Sequence, residues 1–183
     1  MCIRDRAYGA LQRQIQEKTA ERRYLAVVRG TPKFERAEVE ACIGRHPVDR
    51  KRMAVLPATA QPPPRPALTE LRVLERFPGF SLLEARLQTG RTHQIRVHCA
   101  YIGHPVVGDP LYGPRLRDPN VPLAIRRAID ALEGQALHAY SLAFDHPRTG
   151  ERLTFTAPPP TDTQALLDAL GSHFEVRPVA DRD

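Results

Sequence analysis

The sequence predicts an α+β domain, a mixed and mostly antiparallel sheet flanked by helices. Three observations carry this. Residues 67–77, ALTELRVLERF, and 80–89, FSLLEARLQT, alternate apolar and polar positions on either side of Pro78-Gly79, the pattern of a β-hairpin. Residues 22–30, RRYLAVVRG, are apolar and β-branched and stop at Gly30 and Pro32, as a strand does. Segments of helical period stand among these runs without the regular strand–helix alternation of a parallel βαβ protein. At 183 residues, with 42% hydrophobic and 26% charged, the chain is sized for one globular domain.

The elements follow in order. Residues 7–21 bring Tyr8, Leu11, Ile15 and Thr19 to one helical face. After the strand at 22–30, EVEACI (38–43) alternates and predicts another. GRHPVDRKRM (44–53) is a basic loop, and LPATAQPPPRP (56–66) is too proline-rich for regular structure and reads as a connection. From Thr92 the period fits strand or helix. Ile95, Cys99 and Ile102 favour a helix, with Thr92 as its cap and Gly103 at its end. Residues 123–133 and 161–173 read as helices, and 136–146 and 151–157 as strands. From Glu175 to Asp183 the chain reads as a frayed tail.

Composition narrows the function classes. Twenty-seven Lys and Arg against 21 Asp and Glu give a net charge of +6, and 24 of the cations are Arg. An Arg-rich domain suits a polyanionic partner, since the guanidinium forks onto phosphate and stacks on bases. A solvated basic surface would read the same way in composition. No apolar run approaches the roughly 18 residues of a membrane span, so a membrane-spanning protein is not expected. The opening MCIRDR has charge with no apolar run behind it, unlike a secretory signal. Cys2, Cys42 and Cys99 are isolated and odd in number, which supports neither a disulfide framework nor a zinc site and fits a cytoplasmic location.

The chemistry concentrates in residues 90–113, GRTHQIRVHCAYIGHPVVGDPLYG. Arg91, His93, Gln94, Arg96, His98, His104 and Asp109 crowd into this stretch. Polar density of this kind is costly to bury unless paired. Three readings stand. His93, His98, His104 and Asp109 could be metal ligands, although His93 and His98 are five apart and a helix aligns residues four apart. The segment could be a capped helix with GHP and GDP as plain turns, which suits His98, His104, Gly108 and Asp109 taken singly. Or Arg91 and Arg96 could meet phosphate near a helix N-terminus.

GRTHQIRVH together with GHPVVGDPLYG closely resembles the signature of the RluA/RluD class of pseudouridine synthases. RRYLAVVRG resembles the Tyr-bearing strand of that class. GRHPVDRKRMAV (44–55) and QALHAYSLAFDHPRTG (135–150) are similar to the branch that modifies large-subunit ribosomal RNA. The resemblance runs from Ala7 to about His173 and implies one catalytic domain over 7–174. It implies isomerisation of uridine to pseudouridine in RNA, expected in 23S ribosomal RNA. The uracil is detached at N1, turned and rejoined through C5 by a carboxylate nucleophile acting on a flipped base. It implies no metal and no organic cofactor, and a parent protein that is a monomer. Tyr24 matches the Tyr that packs on the flipped uracil. Arg96 matches the basic residue that pairs with the nucleophile, where a guanidinium holds a carboxylate ionised. Arg91, His93 and Gln94 of the motif, and Arg45, Arg50, Lys51 and Arg52 of the basic loop, are expected RNA contacts.

The nucleophile's HRLD motif occurs nowhere in the 183 residues. In the class it precedes the helix matched by Ala7 to Glu21, so the resemblance begins after the catalytic Asp. Asp5 is no substitute, because MCIRDR (1–6) matches no family position and reads as a non-native, adapter-derived leader. The chain alone is therefore expected to form no pseudouridine. It is also expected to be poorly soluble or partly unfolded, with an unpaired apolar edge beside the strand of Tyr24. An RNA-binding module without catalysis is the second reading, and a metal-dependent hydrolase built on the histidines is the third.

Overall fold

The computed structural model describes residues 3–113 and 118–176, with the side chains of residues 3–5 left aside. Helix α1 (Ile3–Gln16) leads into strand β1 (Glu21–Arg29), followed by β2 (Arg36–Arg45), β3 (Met53–Val55), β4 (Arg65–Phe77) and β5 (Phe80–Leu87). Then come α2 (Gln94–Tyr101), α3 (Leu123–Asp130), β6 (Leu137–Asp145), β7 (Arg152–Thr156) and α4 (Thr161–Leu170). The seven strands form one sheet in the order β3-β2-β4-β5-β1-β6-β7, and every pairing is antiparallel. The predicted hairpin is β4–β5, closed by Pro78-Gly79 with Gly79 at φ 77°. Among the described residues no helix is long and apolar enough to cross a membrane.

Alternation along β1 divides the core in two. Leu25 and Val27 pack with Ile125 of α3 and Leu166 and Leu167 of α4. Ala26 and Val28 turn the other way, onto Ile95 and Cys99 of α2. Period-2 side-chain direction in a strand covered on both faces makes LAVV continuously apolar.

Several expectations are corrected. β1 is flanked on both sides, by β5 and β6, so the strand of Tyr24 has no unpaired edge; the sheet ends at β3 and β7. The ground for expecting poor solubility at that edge is removed. Helix α1 ends at Gln16, short of the predicted 21, and its helical backbone begins at Ile3, within the segment read as a leader. Its expected apolar face does not enter the core, since Tyr8 and Ile15 are exposed. A polar clip holds the helix instead. The Gln14 amide donates to the Asp145 carbonyl and accepts the Asp145 N–H, each at 2.7 Å. The proline-rich connection ends early, because Arg65 and Pro66 already belong to β4. In the predicted tail, Val176 packs against the α3–α4 side of the core. Residues 177–183 of that tail, and residues 1 and 2 of the leader, lie outside the described residues.

Candidate functional site

The strand β5 delivers the chain to Gly90, and the turn that follows is built around Gln94. Its side-chain oxygen accepts the Arg91 N–H (2.9 Å) and the Thr89 hydroxyl (2.8 Å), and its NH2 donates to the Leu68 carbonyl and Thr69 Oγ1 (both 2.9 Å). Gln94 is 3% exposed. With its donors and acceptor committed to the fold, it has none left for RNA, and the expected contact becomes a bracket for the turn. Thr92 does not cap α2. The N-cap position belongs to His93, in the left-handed region at φ 57°, with no side-chain cap. Gly103 ends the helix as predicted, at φ 82°.

Arg96 lies on α2 at 8% exposure and grips Asp109 side-on, Nε and Nη2 each 2.7 Å from a carboxylate oxygen. Asp109 also accepts the N–H groups of Leu111 (2.9 Å) and Tyr112 (3.1 Å). Burial alone would raise the Asp109 carboxyl, but Arg96 and these two amides hold it below the usual carboxylate range. With its side chain at 0% exposure and four donors on its carboxylate, Asp109 presents no open face to a base. The residue read as part of a plain turn is thus the buried counter-ion of the expected catalytic Arg. The Nη1 of Arg96 has no partner among the described residues.

Tyr112, which sequence reasoning did not single out, joins the parts. Two guanidiniums lie over its ring, that of Arg96 at 5.0 Å and that of Arg52 at 5.4 Å from the centroid. Its hydroxyl oxygen accepts the Met53 N–H (2.7 Å) and sits 2.9 Å from His93 Nδ1. The aromatic within GDPLYG was the available signal, but a fixed turn spacing does not reveal which ring a distant arginine will cover.

Tyr24 stands on the α2 side of the sheet, half-buried beside the cluster of Ala26, Ile95 and Cys99. Arg22 lies two residues before it on the same strand, and its guanidinium fills the space a Cβ would take at Gly90. Arg91 donates through Nε to the Pro66 carbonyl (3.1 Å), and Arg45 through Nη1 to the Arg50 carbonyl (3.4 Å). Arg45, Arg50 and Lys51 are exposed and Arg52 is half-buried. Among the described residues none of Arg22, Arg45, Arg50, Lys51, Arg52 and Arg91 is in an ion pair. By contrast, Arg23, Arg72, Arg86 and Arg152 are matched by Glu21, Glu70, Glu84 and Asp145. The six unmatched cations lie on β1, the 44–53 loop and the turn before α2.

The histidines do not converge. His93 meets Tyr112, His98 meets Thr69 Oγ1 (2.9 Å) and His104 meets the Arg29 carbonyl (2.9 Å). Among the described residues no three His, Cys, Asp or Glu side chains come together as a metal site would require.

His98 yields a stability prediction. It is fully buried, and burial pushes its imidazole down to about 4. In the unfolded chain it titrates near 6.5. Between those values the unfolded state holds a proton that the folded state does not, so this contribution falls as pH drops from about 6.5 to 4 and is constant below. The loss is on the order of 3 kcal/mol. Urea midpoints from pH 7 to 4 should decline more steeply for the wild type than for His98→Asn; parallel profiles would contradict it.

The family model described as RNA pseudouridylate synthase matches residues 4–101. The chain belongs to this family. Over 166 residues it is 46% identical to the RNA pseudouridine synthase YlyB of Bacillus subtilis, covering 91% of this chain and 49% of that protein. Over 161 residues it is 48% identical to the ribosomal large subunit pseudouridine synthase D of Nitrosomonas europaea, covering 87% and 44%. The chain thus spans about half the length of the curated relatives it matches. Among solved structures, the human RNA pseudouridylate synthase domain containing 1 superposes with a TM-score of 0.69 at 30% identity, over 93% of this chain and 67% of that one. The human domain containing 4 shares the fold, with a TM-score of 0.67 at 20% identity.

Proposed function

We propose that this chain is the uridine-holding portion of an enzyme that converts uridine to pseudouridine in large-subunit ribosomal RNA. The supporting observation is the set of unpaired cations on β1, the 44–53 loop and the turn before α2, together with Tyr24 on the α2 side of the sheet. An RNA backbone is the polyanion such a surface suits. Two relatives' names, ribosomal large subunit pseudouridine synthase D of Nitrosomonas europaea and of Neisseria meningitidis, support the choice of RNA.

In this reading Tyr24 is the stacking platform for the flipped uracil. Arg96, locked side-on by Asp109, keeps Nη1 for a second carboxylate, the nucleophile of the HRLD motif supplied by a longer protein. A guanidinium shared by two carboxylates holds both ionised, as a nucleophilic carboxylate requires. Arg45, Arg50, Lys51, Arg52, Arg91 and His93 line the RNA approach. The site acts in the cytoplasm, in a monomer.

The test follows release of tritium from ribosomal RNA labelled at uridine C5, since joining the sugar to C5 expels that hydrogen. A longer protein with the HRLD segment ahead of Ala7 should release tritium, and the 183-residue chain should not. Tyr24→Ala in the longer protein should lower the rate about 5- to 150-fold, the equivalent of about 1–3 kcal/mol of stacking. No release by the longer protein would overturn the proposal and leave RNA binding without chemistry.

A further inference from the structure

Tyr112 has one hydroxyl proton and stands where three segments meet. Its oxygen accepts the Met53 N–H at 2.7 Å and lies 2.9 Å from His93 Nδ1. The proton needs an acceptor, and the guanidiniums of Arg52 and Arg96 over the ring offer none. His93 Nδ1 is the acceptor within reach. A neutral imidazole that accepts at Nδ1 carries its proton on Nε2. That Nε2 has no partner among the described residues, and among them it is not sealed as the Nε2 of His98 is.

We propose that Tyr112 is a positioning residue that fixes His93 as a neutral imidazole presenting Nε2–H to an acceptor oxygen of RNA. The RNA half of this proposal rests on the function proposed above. The backbone supports a fixed pose. His93 is held in the left-handed region, a conformation that costs a non-glycine residue about 1–2 kcal/mol and persists where surroundings enforce it. The Tyr112 contact, edge-on to the His93 ring at 5.7 Å, and the buried Gln94 beside it supply the enforcement. The charged groups acting on the imidazole are Arg96 and Asp109, which Arg96 already engages, with Arg52 over the Tyr112 ring nearby. Burial, with Arg96 adding to it against the opposing pull of Asp109, lowers the imidazole's proton affinity and keeps it neutral. A neutral donor of fixed direction reads an oxygen by position rather than by charge. That distinguishes His93 from the arginines around it.

Two measurements on the 183-residue chain test this. Nitrogen-15 NMR of the histidine side chains reads the tautomer without RNA. His93 should be protonated on Nε2 alone at pH 7, and Tyr112→Phe should give a mixture of tautomers, with a circular-dichroism spectrum that shows the fold retained. Fluorescence anisotropy then follows two labelled 12-nucleotide probes, one of uridines and one of abasic ribose-phosphate. Tyr112→Phe should weaken binding about 3- to 10-fold. His93→Ala should do at least as much, and His93→Gln, whose amide can donate from a similar place, should recover part of it. Weakening on both probes assigns the oxygen to the sugar-phosphate backbone; weakening on the uridine probe alone assigns it to a base carbonyl. An Nδ1–H tautomer in the wild type, or a Tyr112→Phe protein unchanged in both tautomer and affinity, overturns the proposal. Failure of the wild type to bind either probe while His93 holds the Nε2–H tautomer overturns the RNA reading instead.

Discussion

Asp109→Ala should cost about 3–5 kcal/mol of folding stability, the range found when one partner of a buried ion pair is removed. Both side chains are nearly sealed, at 10% exposure for Arg96 and 0% for Asp109. Removing the carboxylate leaves a nearly sealed guanidinium that cannot shed its proton and has lost its counter-ion. It also strands the amides of Leu111 and Tyr112, so the turn that carries Tyr112 loses its brace. Asp109→Asn should be milder, since the amide oxygen can still accept from part of that set. Replacing the pair together, Arg96→Met with Asp109→Leu, should recover much of the loss because no charge is left buried. Urea unfolding of the four proteins at pH 7 measures all of this. A loss below about 1 kcal/mol for Asp109→Ala would mean that the pair behaves as a surface contact. The pH dependence has a fixed sign. Asp109 titrates below its unfolded value, so its contribution is complete above about pH 4 and is lost as pH falls through the folded value.

That pair also marks where sequence reading stops. Arg96 drew notice because a long motif surrounds it, and the hairpin was legible because alternation and a Pro-Gly turn are local signals. The partner of Arg96 was not. Asp109 follows a left-handed glycine and precedes a proline, which is a complete description of a turn, and its two amide bonds are indeed those of a turn. Its burial against a helix thirteen residues earlier depends on how the 105–109 segment docks, which no period reports. Gln94 failed in the opposite direction. A polar residue in a motif suggests a ligand contact, yet its four hydrogen bonds hold β4 and the turn after β5 to the start of α2. The helix edges moved for the same reason. Tertiary bonds such as Gln14 to Asp145, rather than propensity, decide where α1 stops being useful to the fold.

Gly108→Ala should destabilise the protein by about 2–4 kcal/mol, from two sources that add. The residue has φ 73°, where a Cβ costs about 1 kcal/mol or more. An added Cβ would also stand 2.5 Å from the Gly134 carbonyl oxygen and 2.8 Å from Leu132 Cδ1. Overpacking of this kind costs about 1–3 kcal/mol, and the nearest neighbour here is backbone, which has little room to give. The segment cannot slide away. Val107 donates to the Val27 carbonyl (2.9 Å), Ala136 donates to the Val107 carbonyl (2.8 Å), and Val27 donates to the Ala136 carbonyl (3.0 Å), so three strands of chain are tied together around it. Gly134→Ala is the matched control, because a Cβ there meets nothing within 4 Å and the backbone is not left-handed. It should be close to neutral. Equal losses in the two variants would mean that the 108–134 approach is looser than the geometry shows. A loss confined to Gly108 should also reach the neighbouring site, since any shift of residue 108 displaces Asp109 and through it the guanidinium of Arg96.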